Sequence, residues 1–170
     1  MAPYTGAMKM ITALALLLLS AGFAVGAVQR PDAARVKQQM VGSYKLVSFV
    51  NIDQNGVATK SPFTIGQISY DAAGRMSAQL MREGRARLTT PQASEAERAT
   101  AYSGFISYYG RYTIDADKGT VTHHVEGGMS PNMVGAELVR YYEFSPDGKS
   151  LFLMVKNGER VTGRLQWDRY

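Results

Sequence analysis

GTVTHHVEGGMSPNMVGAELVRYYEF, residues 119–144, decides how the rest of the chain reads. From Thr120 to Glu126 the residues alternate, with Val121, His123 and Val125 on one side and Thr122, His124 and Glu126 on the other. That is the two-residue period of a β-strand with one covered face. Glu137 to Phe144 repeats the pattern, placing Leu138, Arg140, Tyr142 and Phe144 in one row. Between the two runs, Gly127-Gly128 and Ser130-Pro131-Asn132 are the residues of a bend. The stretch predicts two strands, and it holds both histidines of the chain and an arginine among apolar neighbours.

The same punctuation recurs on either side. FISYYGRYTID (105–115) leads in through an Asp115-Ala116-Asp117-Lys118-Gly119 turn, and Gly110 inside it predicts a bulge or a close backbone approach. TIGQISY (64–70) and RMSAQLMR (75–82) make a hairpin around Asp71-Ala72-Ala73-Gly74. YKLVSFV (44–50) opens the series, and its blurred alternation is that of a strand covered on part of both faces. It runs to Asp53-Gln54-Asn55-Gly56, where glycine supplies the positive φ of a tight reversal. SLFLMVK (150–156) and ERVTGRLQWDRY (159–170) follow after Ser145-Pro146-Asp147-Gly148 and Asn157-Gly158 turns.

Repeated short strands with tight turns predict an antiparallel meander, and such a sheet removes its exposed edges by closing. The expected fold is all-β: an up-and-down antiparallel barrel of about eight strands, a size that leaves room for one small ligand. One segment breaks the pattern. Thr90-Pro91 opens a helix signature, with Glu95 and Glu97 early and alanines to about Ser103. This single short helix is expected to act as a lid or plug against the barrel.

Residues 1–27 read as a cleaved signal peptide, with Lys9, the apolar run Ile11 to Leu19, and Val25-Gly26-Ala27 at the cleavage point. The run is well short of the roughly 20 residues that span a bilayer, so no stable membrane span is expected after cleavage. The expected location is periplasmic or secreted. Residues 28–40 read as a polar linker or lead-in, and 41–170 as the barrel domain. Cysteine is absent, so disulfides contribute nothing. The chain is mildly basic, with 19 Lys and Arg against 14 Asp and Glu. Its densest basic patch, Arg82, Arg85 and Arg87 around Gly84, reads as a solvated loop. No aromatic platform accompanies it, so nucleic acid is not an expected partner.

Over nearly all of 41–170 the sequence resembles the lipocalin-like domain proteins. The resemblance rests on Gly42 to Phe49, Tyr70 to Ser77, Gly104-Phe105 through Gly110-Arg111-Tyr112, Thr120 to Gly127, Pro131-Asn132, Gly135, Arg140 and Trp167. Tyr44 stands where lipocalins usually carry a tryptophan. The resemblance implies a barrel with a central cavity and little about chemistry, although some barrel relatives are cyclases or isomerases of small apolar substrates.

His123 and His124 are adjacent, so on a strand they point to opposite faces and cannot share one metal. A zinc site would need two or three further donors, and no cysteine or His-x-His spacing supplies them. No metal and no cofactor are expected. Alternation does not fix which histidine faces the cavity; the polar row beside Glu126 favours His124. That histidine is either satisfied by its neighbours or a general acid/base, since imidazole titrates near neutrality. No Gly-x-Ser-x-Gly elbow is present, which argues against hydrolase chemistry.

Arg140 has two readings. It closes the barrel end by stacking on Tyr44 or Trp167, as lipocalins do with their own arginine and aromatic pair, or it anchors an anionic ligand group. Gln79, Tyr108 and Tyr112 are the other inward polar candidates. The expected ligand-binding set is Gln79, Tyr108, Tyr112, His124, Arg140 and Trp167, around a small hydrophobic or amphipathic molecule. The alternatives are a cofactor-free isomerase or cyclase using His124 with Tyr112, and a ligand-free barrel that binds a partner on its outer face.

Overall fold

In a computed structural model, residues 32–90 and 92–170 are described. The signal-peptide expectation, positions 28–31 of the lead-in, and Pro91 at the expected helix start lie outside these residues.

The strands are β1 (Gly42–Ile52), β2 (Ala58–Lys60), β3 (Phe63–Tyr70), β4 (Arg75–Arg82), β5 (Phe105–Asp115), β6 (Thr120–Gly128), β7 (Glu137–Phe144), β8 (Ser150–Asn157) and β9 (Arg160–Arg169). All are antiparallel to their neighbours, and from β3 to β9 each pairs with the next in sequence. β1 pairs with β3 on one side and β9 on the other, which closes eight strands into a barrel and leaves β2 as an extra strand on β1. The seam runs from Tyr44 opposite Arg169 to Asn51 opposite Gly163. Closure leaves no free edge on the eight.

The blurred alternation of β1 has a different cause from double-sided cover. The register against β9 shifts between Leu46 and Ser48, so Val47 is an extra residue and stands half exposed. Tyr44 and Leu46 point inward before this bulge, and Phe49 lines the interior after it. A bulge changes which parity faces the core.

A second correction concerns the ends of the barrel. Residues 33–40, expected as a polar lead-in, form α1 (Ala33–Met40). Asp32 caps its start by accepting from the Ala34 and Arg35 amides. Val36 and Met40, four residues apart, share the face that α1 presses into the barrel end, where both are buried. Each contributes about 1.5–3 kcal/mol by leaving water.

The C-terminal carbonyls of α1 are gathered by the far end of the chain. Arg169 donates to the Gln39 and Val41 carbonyls at 2.7 and 2.8 Å and to the Tyr44 hydroxyl at 2.7 Å. The Tyr44 hydroxyl donates to the Met40 carbonyl at 2.9 Å, and the guanidinium carbon lies 4.8 Å from the Tyr44 ring centroid. These contacts occupy acceptors that a helix end otherwise leaves open. The arginine that closes the barrel is therefore Arg169, not Arg140.

The expected helix forms as α2 (Glu95–Ser103), starting later than Thr90. Its start is set by a capping box in which Ser94 and Glu97 bond each other's backbone amides. None of its residues is buried, so the plug is α1, and α2 lies on the outside near β5. The basic loop before it is not simply solvated. Arg82 lies over Phe63 and Arg85 over Phe105, each 5.5 Å from the ring centroid, and Arg85 also bonds the Ala101 carbonyl. Among the described residues no helix is long and apolar enough to cross a membrane.

Candidate functional site

On β6 the alternation holds as the sequence indicates: Val121, His123 and Val125 turn inward and are buried, while Glu126 is exposed. His123, with no exposed surface, is thus the inward histidine, a reversal of the expectation for His124. The reason lies on the outer surface. Glu126, the expected partner of His124, is held instead by Arg75 at 2.7 Å and Arg111 at 3.0 Å. These two arginines are cross-strand neighbours on β4 and β5 and need a carboxylate between them. His124 bonds the Thr113 hydroxyl at 2.8 Å and lies 3.3 Å from the Glu137 carboxylate, outside the barrel.

Around His123 the barrel holds a partly open cavity of about 290 Å³, lined by no residue of α1. Its walls are apolar, with Phe49, Leu80, Ile106, Leu138, Leu153 and Val155 among them. Met133, from the short turn Pro131–Met133, borders it. Ile106 and Met133 also border a pocket of about 220 Å³ that reaches Tyr102 on the last turn of α2. The polar atoms converge on one wall, which Tyr108, His123 and Arg140 supply together. A larger hollow of about 480 Å³, bordered by Ser43, Ser69, Ser77 and Tyr109, is a shallow groove that holds neither His123 nor Arg140.

The His123 ring is bonded on both nitrogens. Nε2 is 2.8 Å from the Tyr70 hydroxyl and Nδ1 is 3.1 Å from the Tyr108 hydroxyl. Burial first, then the charges of Arg140 and His124, push the His123 pKa down to about 3, so the ring is neutral at ordinary pH. Burial also raises the Tyr70 phenol well above its usual range. The Tyr108 phenol is raised by burial and drawn partly back by the neighbouring Arg140 guanidinium. Both tyrosines keep their protons. Arg140 donates to the Val139 carbonyl at 2.9 Å and also reaches the Tyr108 hydroxyl, and among the described residues no carboxylate lines the cavity.

Of the expected ligand set, Tyr108, Arg140 and Trp167 line the cavity. Tyr112 is buried at the plugged end, where its hydroxyl donates to the Asp71 carbonyl at 2.8 Å and Lys37 of α1 lies 5.9 Å from its ring centroid. Gln79 bonds Gln67 on the outer face of the sheet at 3.1 Å. His124 and Tyr112, the pair expected in an enzyme, are on opposite sides of the barrel wall. Sequence reasoning missed His123 and Tyr70 as polar site residues. The apolar neighbours of His123 were the signal that it faces inward.

Trp167 is the single tryptophan of the chain, and its indole Nε1 is buried with no hydrogen-bond partner among the described residues. An orphan donor in a cavity wall is uncommon, and it makes tryptophan fluorescence a direct reporter of this space.

The model of a family described as "Lipocalin-like domain" matches residues 41–170. A solved redesigned β-barrel is similar at 9% identity, covering 80% of this chain and 96% of its own, with a TM-score of 0.41. Comparison with curated proteins finds no match.

Proposed function

The chain belongs to the lipocalin-like domain family, and from that premise we propose that it is an exported protein that binds one small, largely apolar molecule inside the barrel. The observation that carries this reading is the cavity of about 290 Å³, walled by apolar side chains with its polar groups gathered on one side. Ligand sites have this composition, an apolar lining with a few placed polar groups. The volume is at the small end of such sites, which run from about 300 to 1,000 Å³. A bound molecule would rest its body on Phe49, Leu80 and Leu153 and turn its polar end to Tyr108 and Arg140.

Native mass spectrometry of protein purified from its own host tests this. A co-purified small molecule that is lost on denaturation is expected. The substitution Ala78→Phe, which fills the cavity from a buried wall position, is expected to abolish that retention. No retained molecule, together with no binding across a panel of lipophiles, would overturn the proposal.

Export rests on Lys9, the apolar run Ile11 to Leu19 and the small residues Val25-Gly26-Ala27. The mature protein is expected to begin at Val28 and to fractionate outside the cytoplasm. N-terminal sequencing that finds residues 1–27 retained would reject that part.

The isomerase or cyclase reading has less behind it. His124 and Tyr112 do not share a space, and the inward His123 has a pKa near 3, far from the value a general base needs at neutral pH.

A further inference from the structure

The hydrogen bonds of the buried cluster leave donors without acceptors. His123 is neutral, so one ring nitrogen carries a hydrogen and the other accepts. Tyr70 is almost fully buried, and among the described residues its hydroxyl bonds only His123. A hydroxyl proton left without an acceptor there would cost about 1–3 kcal/mol, so Tyr70 donates to Nε2. The ring hydrogen is then on Nδ1, and Tyr108 accepts it.

This leaves the proton of Tyr108 itself. It cannot go to His123 Nδ1, which is already donating, nor to Arg140, which has no acceptor. Tyr108 and Arg140 both line the cavity, and among the described residues no Asp or Glu lines it with them. Two donors, one of them charged, therefore share a wall of an apolar space that, among the described residues, no carboxylate lines, and the unpartnered indole of Trp167 adds a third donor to its lining.

Resting on the small-ligand reading above, we propose that the cavity selects amphipathic monocarboxylates, with Arg140 and Tyr108 donating to the carboxylate and His123 and Tyr70 positioning Tyr108. A carboxylate only accepts hydrogen bonds, and its two oxygens suit a guanidinium with a hydroxyl beside it. Alcohols and amines bring hydrogens that meet donors, and they leave the arginine charge uncompensated. The cavity has the volume of about ten waters, which sets the body at on the order of ten to fifteen non-hydrogen atoms.

The test compares four probes with the same chain and different heads: decanoic acid, decanol, decylamine and methyl decanoate. Binding to the purified protein at neutral pH is read from Trp167 fluorescence and by calorimetry. Decanoate is expected to bind about ten- to a hundredfold more tightly than the other three, the worth of hydrogen bonds to a charged group. Arg140→Met is expected to reduce decanoate to the affinity of decanol while leaving decanol unchanged, which also shows that the variant is folded. Tyr108→Phe is expected to weaken decanoate alone, by about tenfold. Equal affinities for all four heads would overturn the carboxylate assignment and leave the small-ligand reading intact. A decanoate preference that survives Arg140→Met would overturn it too. Failure of all four probes to bind would overturn the carboxylate assignment, and together with the absence of any retained molecule it would remove the small-ligand reading as well.

Discussion

Gly110→Ala is expected to destabilise the fold by about 3 kcal/mol, the upper end of overpacking costs. Gly110 lies on β5 at the point where the register against β6 shifts, between the pairs Tyr109–Gly127 and Gly110–Val125. There the two backbones come together so closely that an added Cβ would overlap the His124 carbonyl oxygen and stand 3.0 Å from the Glu126 amide nitrogen. Neither is a flexible side-chain end, so relief requires opening the β5–β6 ladder beside His123 and Tyr108. Denaturant unfolding of both proteins checks this. Gly163→Ala is the control, since a Cβ there meets nothing nearer than 3.6 Å and should change stability by no more than about 0.5 kcal/mol. A Gly110→Ala midpoint equal to that of the control would show that the close approach is not rigid.

Acidification is expected to destabilise the protein through His123, beginning well above the carboxylate range. In the unfolded chain this ring takes up its proton as pH falls through about 6.5, whereas in the barrel it resists until about 3. Between those values the unfolded state binds more protons. The contribution is therefore complete above 6.5 and is lost as pH falls, by about 1.4 kcal/mol per unit. By pH 5 the loss reaches about 2 kcal/mol. The carboxylates held low by their partners, Glu97 at about 2 among them, act further down the scale. His123→Gln keeps one donor and one acceptor for the two tyrosines but cannot titrate. Its stability is expected to fall less between pH 7 and 5 than that of the parent by about that amount, measured by denaturant melts at both values. Parallel curves would mean that the ring does not stay neutral in the folded state.

The barrel was legible because the strands carry their own periodicity and their turns carry their own chemistry. All eight runs read from alternation are strands, and among the described residues the only strand missed is β2, three exposed residues without a pattern. What escaped depends on contacts remote in sequence. α1 has only Val36 and Met40 to mark its buried face, and its docking relies on Arg169 at the other terminus. The side to which β1 points after Leu46 depends on a bulge that arises only in pairing with β9. In the site, parity separated His123 from His124, and Val121 and Val125 indicated which was buried. Preferring the polar neighbour Glu126 reversed the choice, because Arg75 and Arg111 compete for that carboxylate from two other strands. Arg140 was legible as an inward cation. Its release from the closing role required knowing that Arg169 fills it.

The seam between β1 and β9 also constrains when the molecule can become itself. Tyr44 and Arg169 meet across 125 residues, and the cavity wall at Leu165 and Trp167 comes from the same final strand. Until that strand has been made, the chain can assemble only the local hairpins. Ring closure must wait for β9, and contacts so distant along the chain are slow to find one another.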